Sequence, residues 1–192
     1  MPRRRATVLA LLVAAASAGV ATAATGPAPV AATDAQGDVT SPLDLTRIAI
    51  ARSTNGRLRA SVTLAAAWDG RQLLAASGPP GSVCVKLWTV SRPPDTPPDY
   101  LVCTTAAKDG ALRGSVLRER ANKLPERVAG AEVSRPSPRT VTLRFPQSAI
   151  GSPAALDAAA EASQSGCARV SCIDLAPDAP KTLTLKLRAA TP

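Results

Sequence analysis

The chain has 192 residues, with 23 Lys or Arg against 14 Asp or Glu and a formal net charge of +9. It contains no histidine, which excludes Ser-His-Asp and Cys-His catalysis and histidine-held zinc or haem; its one methionine is Met1, which excludes a methionine-held haem. Acids and bases are interspersed and no basic cluster carries interleaved aromatics, so nucleic acid is not an expected partner.

The first residues read as an export signal. Arg3, Arg4 and Arg5 form a basic head, residues 8–20 are apolar and alanine-rich, and Ala21-Thr22-Ala23 offers a small-x-small cleavage pattern. The apolar run is too short to span a bilayer and no second long one follows, so no membrane span is expected once residues 1–23 are removed. The expected location is outside the cell or loosely on its surface, with an unidentified extracellular or envelope ligand. Loss of three of the 23 basic side chains leaves a charge of +6, which suits anionic envelope polymers and is explained as simply by solubility. Residues 24–33, rich in Ala and Pro, read as a disordered linker. Residues 34–192 read as one domain, long enough for a core.

Asp34, Asp38 and Asp44 lie in a glycine-containing turn region just after the linker. Carboxylate oxygens on a turn can hold Ca²⁺. The spacing is not that of an EF-hand loop, because Gly37 precedes the second aspartate and no terminal Glu follows. Turn chemistry alone also accounts for Asp and Gly at these positions.

Strands follow. Residues 45–51 carry Ile48 and Ile50 on one face, Asn55-Gly56 is a hairpin signal, and Leu58, Ala60, Val62 and Leu64 alternate on the returning strand. Residues 65–81 form a connection in which Leu73 and Leu74 are expected to anchor. In residues 82–105, Val83, Val85 and Leu87 alternate before a proline-rich loop, and a second β-prone run follows it. Folding the chain about that loop sets Cys84 opposite Cys103, within disulfide reach. Residues 107–110 turn into a strand at 112–117. Residues 118–120 and 123–127 read as exposed, 128–133 as a weak strand, 135–139 as a turn, and 140–145 as a strand with Val141, Leu143 and Phe145 inward. Residues 152–163 suit a helix by the Ser152-Pro153 start and a strand by the alternation of Leu156, Ala158, Ala160 and Ala162. Three pairings of the four cysteines exist, of which Cys84–Cys103 with Cys167–Cys172 needs the least rearrangement. Residues 173–180 read as a turn-rich acidic segment with Asp174 and Asp178, and 182–187 as the last strand.

The order of pieces resembles a known group. Asp34-Ala35-Gln36-Gly37-Asp38 leads into Asp44-Leu45, then the Asn-Gly hairpin, Ile150-Gly151-Ser152-Pro153, and Asp174-Leu175-Ala176-Pro177-Asp178. This is similar to exported β-sandwich domains of high-GC Gram-positive bacteria, which look distantly like DOMON domains and family 9 carbohydrate-binding modules. The resemblance implies a strand over 156–162 and acidic loops gathered at one end. The expected fold is all-β: an antiparallel sandwich, jelly-roll or immunoglobulin-like, of eight or nine strands with at most one short helix. The expected function is a non-catalytic secreted binding or accessory module, stabilised by calcium through Asp34, Asp38, Asp44, Asp174 and Asp178. The alternative is a protease-inhibitor-like protein that presents the clamped loop 92–99. No catalytic residues are expected.

Overall fold

The computed structural model describes residues 28–39, 41–53, 55–89, 96–167 and 169–187. The proposed signal segment, 1–23, lies outside them. Among the described residues, eleven strands form one antiparallel sheet: β1 Val30–Thr33, β2 Leu45–Arg52, β3 Arg57–Leu64, β4 Ser82–Trp88, β5 Tyr100–Ala106, β6 Leu112–Arg118, β7 Glu126–Ser137, β8 Thr140–Pro146, β9 Ala155–Ser163, β10 Ile173–Ala176 and β11 Leu183–Lys186. Helical structure among the described residues is limited to three short 3-10 turns, at Gly70–Leu73, Gln147–Ile150 and Val170–Cys172. The count exceeds the eight or nine strands expected from sequence.

The path through the sheet is β1-β2-β3-β8-β7-β6-β5-β4-β9. The outer edge of β9 is shared: β10 pairs with its second half and β11 with its first. β2 then lies beside β10 and β9, and β1 beside β11, so the sheet is nearly closed into a barrel. β7 makes the bend possible. Its first half pairs with β6 and its second half with β8, and the β8 register shifts between Ser134 and Ser137, around Pro136. A proline has no N–H for a ladder, so it sits where the pairing is broken.

The alternation read from sequence sets the inside. Ile48, Ile50, Leu58, Ala60, Val62, Val83, Val85, Leu87, Val102, Val141, Leu143 and Phe145 are all fully buried in one core. The Asn-Gly turn holds Gly56 at φ 76, a left-handed backbone that glycine adopts without strain. Residues 155–163 are a strand, as the resemblance implies, and Ala158, Ala160 and Ala162 are its buried face. Cys84 faces Cys103 directly in the β4–β5 register and is bonded to it; Cys167 is bonded to Cys172.

Several boundaries differ from the sequence reading. Residues 30–33, expected within a disordered linker, form β1 and pair with residues 47–50 of β2. The weak strand at 128–133 is the middle of a twelve-residue strand, and the expected turn at 135–139 narrows to its end. Ile173–Ala176, expected as turn, is β10. Of the expected anchors, Leu73 is buried and Leu74 only half-buried.

Candidate metal centre at the seam of the sheet

The five aspartates come from both ends of the chain and meet where the sheet fails to close. Asp34 directly follows β1, Asp38 sits in the next turn, and Asp44 directly precedes β2. Asp174 is on the inward face of β10, and Asp178 lies two residues beyond that strand. Because β10 abuts β2, residues 129 positions apart become neighbours: the Leu45 backbone N–H donates to Asp174 Oδ2 at 2.5 Å. Asp174 Oδ1 accepts from the Leu175 N–H at 2.8 Å. Across the same seam, the Asp178 N–H donates to Asp34 Oδ1 at 3.3 Å.

Carboxylate oxygens of Asp38, Asp44 and Asp174 lie within 4.8 Å of one another, and so do those of Asp34, Asp38 and Asp178. Asp38 belongs to both groups. The first group is the deeper: Asp174 is 2% exposed and Asp44 9%. Gly37, at φ 83, turns the loop so that its N–H donates to Asp44 Oδ2 at 2.8 Å. Asp44 Oδ1 is buried and has no hydrogen-bond partner, and the same is true of Asp34 Oδ2.

The electrostatics are unbalanced. Among the described residues, none of the five acids forms an ion pair. Burial, followed by the repulsion of Asp38 and Asp34, raises Asp174 to a pKa of about 6, although the Leu45 and Leu175 N–H groups oppose the shift. Asp34 is also raised, first by burial and then by the charge of Asp178. A cluster of hard oxygens with unused lone pairs and no ion-pair partner is the donor set that Ca²⁺ takes.

A cavity of about 1040 Å³ opens beside this cluster, between β1 and the 177–182 loop. Asp34 and Asp178 line it together with Thr33, Arg47, Pro177 and Lys181. The sequence reading named the acids but not Arg47 or Lys181. Arg47 carries only the outward signal of its strand alternation, and Lys181 follows a turn; nothing in the spacing joins them. A smaller cavity of about 230 Å³ lies on the other side of the same loop, floored by Trp88 and walled by Pro97, Pro98 and Pro180.

The clamped loop 92–99 of the alternative reading falls partly outside the described residues. Its described end folds back onto the sheet: Trp88 Nε1–H donates to the Thr96 carbonyl at 3.0 Å, and Thr89 donates twice to Asp99 Oδ2. No protein-family model, no curated protein and no solved structure matches this chain.

Proposed function

We propose that this protein is an exported, non-catalytic β-domain that binds a divalent cation, calcium by its ligand type, where the two ends of the chain meet, and that it serves as a binding or accessory module outside the cell. One observation carries the cation: five carboxylates converge on a seam in which Asp44 Oδ1 and Asp34 Oδ2 are buried without a partner. Leaving such oxygens desolvated and mutually repelled is costly, and a bound cation offsets that cost. Export rests on the basic head, apolar run and small-residue cleavage pattern of residues 1–23, and two disulfides suit an oxidising compartment. In this reading the bend in β7 stacks the two halves of the sheet as the layers of a flattened sandwich, in keeping with the DOMON-like and family 9 resemblance.

Thermal unfolding in calcium and in EDTA tests the cation. Calcium at about 100 times its Kd stabilises the fold by roughly 2.7 kcal/mol. Asp44→Ala abolishes that rise. An unchanged Tm for the unsubstituted protein at millimolar calcium defeats the proposal.

A further inference from the structure

We infer that the cation sits in the inner group, Asp38 with Asp44 and Asp174, and acts there as a latch: bound, it holds β10 against the start of β2, and on its release that seam opens while the rest of the sheet stays paired. The inference rests on the cation reading above and adds which acids seat the ion and what its release does.

The two acidic groups differ in what they offer an ion. The outer one, Asp34 with Asp38 and Asp178, includes two exposed side chains, which water can satisfy. The inner one is enclosed: Asp44 and Asp174 are both nine-tenths or more buried, and Asp44 Oδ1 has no hydrogen-bond partner. The other oxygens of this pair accept from backbone, Asp44 Oδ2 from the Gly37 N–H and the two of Asp174 from the Leu45 and Leu175 N–H groups. These bonds fix both carboxylates in place, and each oxygen keeps a second lone pair for a metal. A dry oxygen without a donor, beside two more acids, carries a cost that a cation removes.

The three inner acids come from separate pieces of chain. Asp38 lies in the turn after β1, Asp44 directly precedes β2, and Asp174 stands on β10. An ion bound by all three therefore bridges β10 to the start of β2. Little else does so. β1 and β10 are the two ends of the path through the sheet, and among the described residues no backbone ladder joins β10 to β2. Two hydrogen bonds among those residues tie β10 and the loop after it to the N-terminal strands, Leu45 N–H to Asp174 and Asp178 N–H to Asp34, and both end on acids of the cluster. The inward face of β10 carries only Asp174 and Ala176, so little apolar burial holds the strand in place. A segment with so few buried apolar contacts opens at lower free energy than the ladders around it. Without the ion, the acids that accept these bonds also repel one another.

The test is amide hydrogen exchange on the whole protein at pH 7, read residue by residue by NMR in calcium and in EDTA, with Tm measured in parallel. The reporters are the Gly37, Leu45, Leu175 and Asp178 N–H groups, which the seam acids accept. In EDTA they are expected to exchange about 100-fold faster than the slowest amides of β4 and β9, with little dependence on low urea, as for an opening that leaves the rest of the sheet intact. Calcium is expected to slow them by about tenfold or more. Asp44→Asn, which keeps an oxygen for the Gly37 N–H, removes that slowing, and Asp178→Asn, in the exposed outer group, retains it. A missing Tm rise in the unsubstituted protein removes the cation and this inference together. With a normal rise, seam amides as slow in EDTA as the β4–β9 ladder, or seam amides that calcium does not slow, overturn the latch and leave the cation reading standing. Slowing that survives Asp44→Asn, or that Asp178→Asn also abolishes, overturns the inner seat. The comparison of calcium with EDTA is made on the unsubstituted protein, so the latch is decided even where a variant fails to fold.

Discussion

β4 is joined to β9 by backbone pairs along its whole length, from Ser82 opposite Ser163 to Trp88 opposite Asp157, whereas β2 and β10, and the residues just beyond β1 and β10, meet through side-chain carboxylates. In the first region the peptide groups pair along the ladder, and the acid that crosses it, Glu161, has its counter-charge in Lys86 at 2.9 Å. In the second, Asp174 does for the Leu45 N–H what a neighbouring strand's carbonyl would otherwise do. At neutral pH the acceptor brings a charge with it, and Asp38 and Asp44 lie within 4.8 Å while Asp34 adds to the repulsion. The seam is therefore the conditional part of an otherwise unconditional fold.

The largest expected effect lies in the unconditional part. Phe145 is fully buried and pairs across β3 with Leu58. Phe145→Ala should cost about 3–5 kcal/mol through lost burial and the cavity left behind. Because the site is remote from the seam acids, chemical denaturation should show the same loss in calcium and in EDTA. A loss that differs between the two would mean that ladder and seam are one energetic unit.

The unconditional part is also what the sequence made legible. Period-two alternation over Leu58, Ala60, Val62 and Leu64 reports a face turned to the core, and Asn55-Gly56 reports a turn by backbone chemistry; both signals are local. β7 was only half visible because Gly130 and Pro136 are poor strand residues, and its register with two different neighbours is set by tertiary pairing. β10 was hidden because Asp174 and Ala176 on its inward face lack the apolar bulk that marks a buried strand. The five acids could be named from composition and motif. Their convergence could not be read, since it depends on β10 reaching β2, a contact with no local trace. Arg47 and Lys181 carried no signal of a shared cavity for the same reason.

The intermediate effect is a reversal with pH at the seam. The carboxyl of Asp174 has an ordinary value of 3.8 and is raised to about 6 in the fold. A carboxyl raised on folding favours the folded state while protonated, so its contribution is full below 3.8 and is lost as the pH rises to about 6. Asp34 acts in the same direction. The exposed Glu126, lowered by its bond to Arg118, acts in the opposite one. In EDTA, Asp174→Asn should raise stability at pH 7 by up to roughly 2 kcal/mol and leave it nearly unchanged at pH 4. In calcium the same substitution should destabilise, since a ligand is lost. Urea midpoints at the two pH values, with and without calcium, check both signs. A destabilisation in EDTA at pH 7 would show that ionised Asp174 is held by its N–H donors without help.

The smallest effect concerns acids that have what the seam acids lack. Glu132, on the outer face of β7, lies 3.3 Å from Arg57 and 3.4 Å from Arg144, and all three side chains are about half exposed. Water already screens such a group, and one arginine can stand in for the other, so Arg57→Ala should change stability by less than about 0.5 kcal/mol in calcium or EDTA alike. The contrast with Asp174 is one of solvent and partner together: the same chemical group is nearly neutral in free energy where it is wet and paired, and decisive where it is dry and surrounded by its own kind. A loss above about 1 kcal/mol at Arg57, measured by the same urea midpoints, would mean that this face is not wet in solution. Something would then cover it, and the partner surface would have to be sought there as well as at the seam.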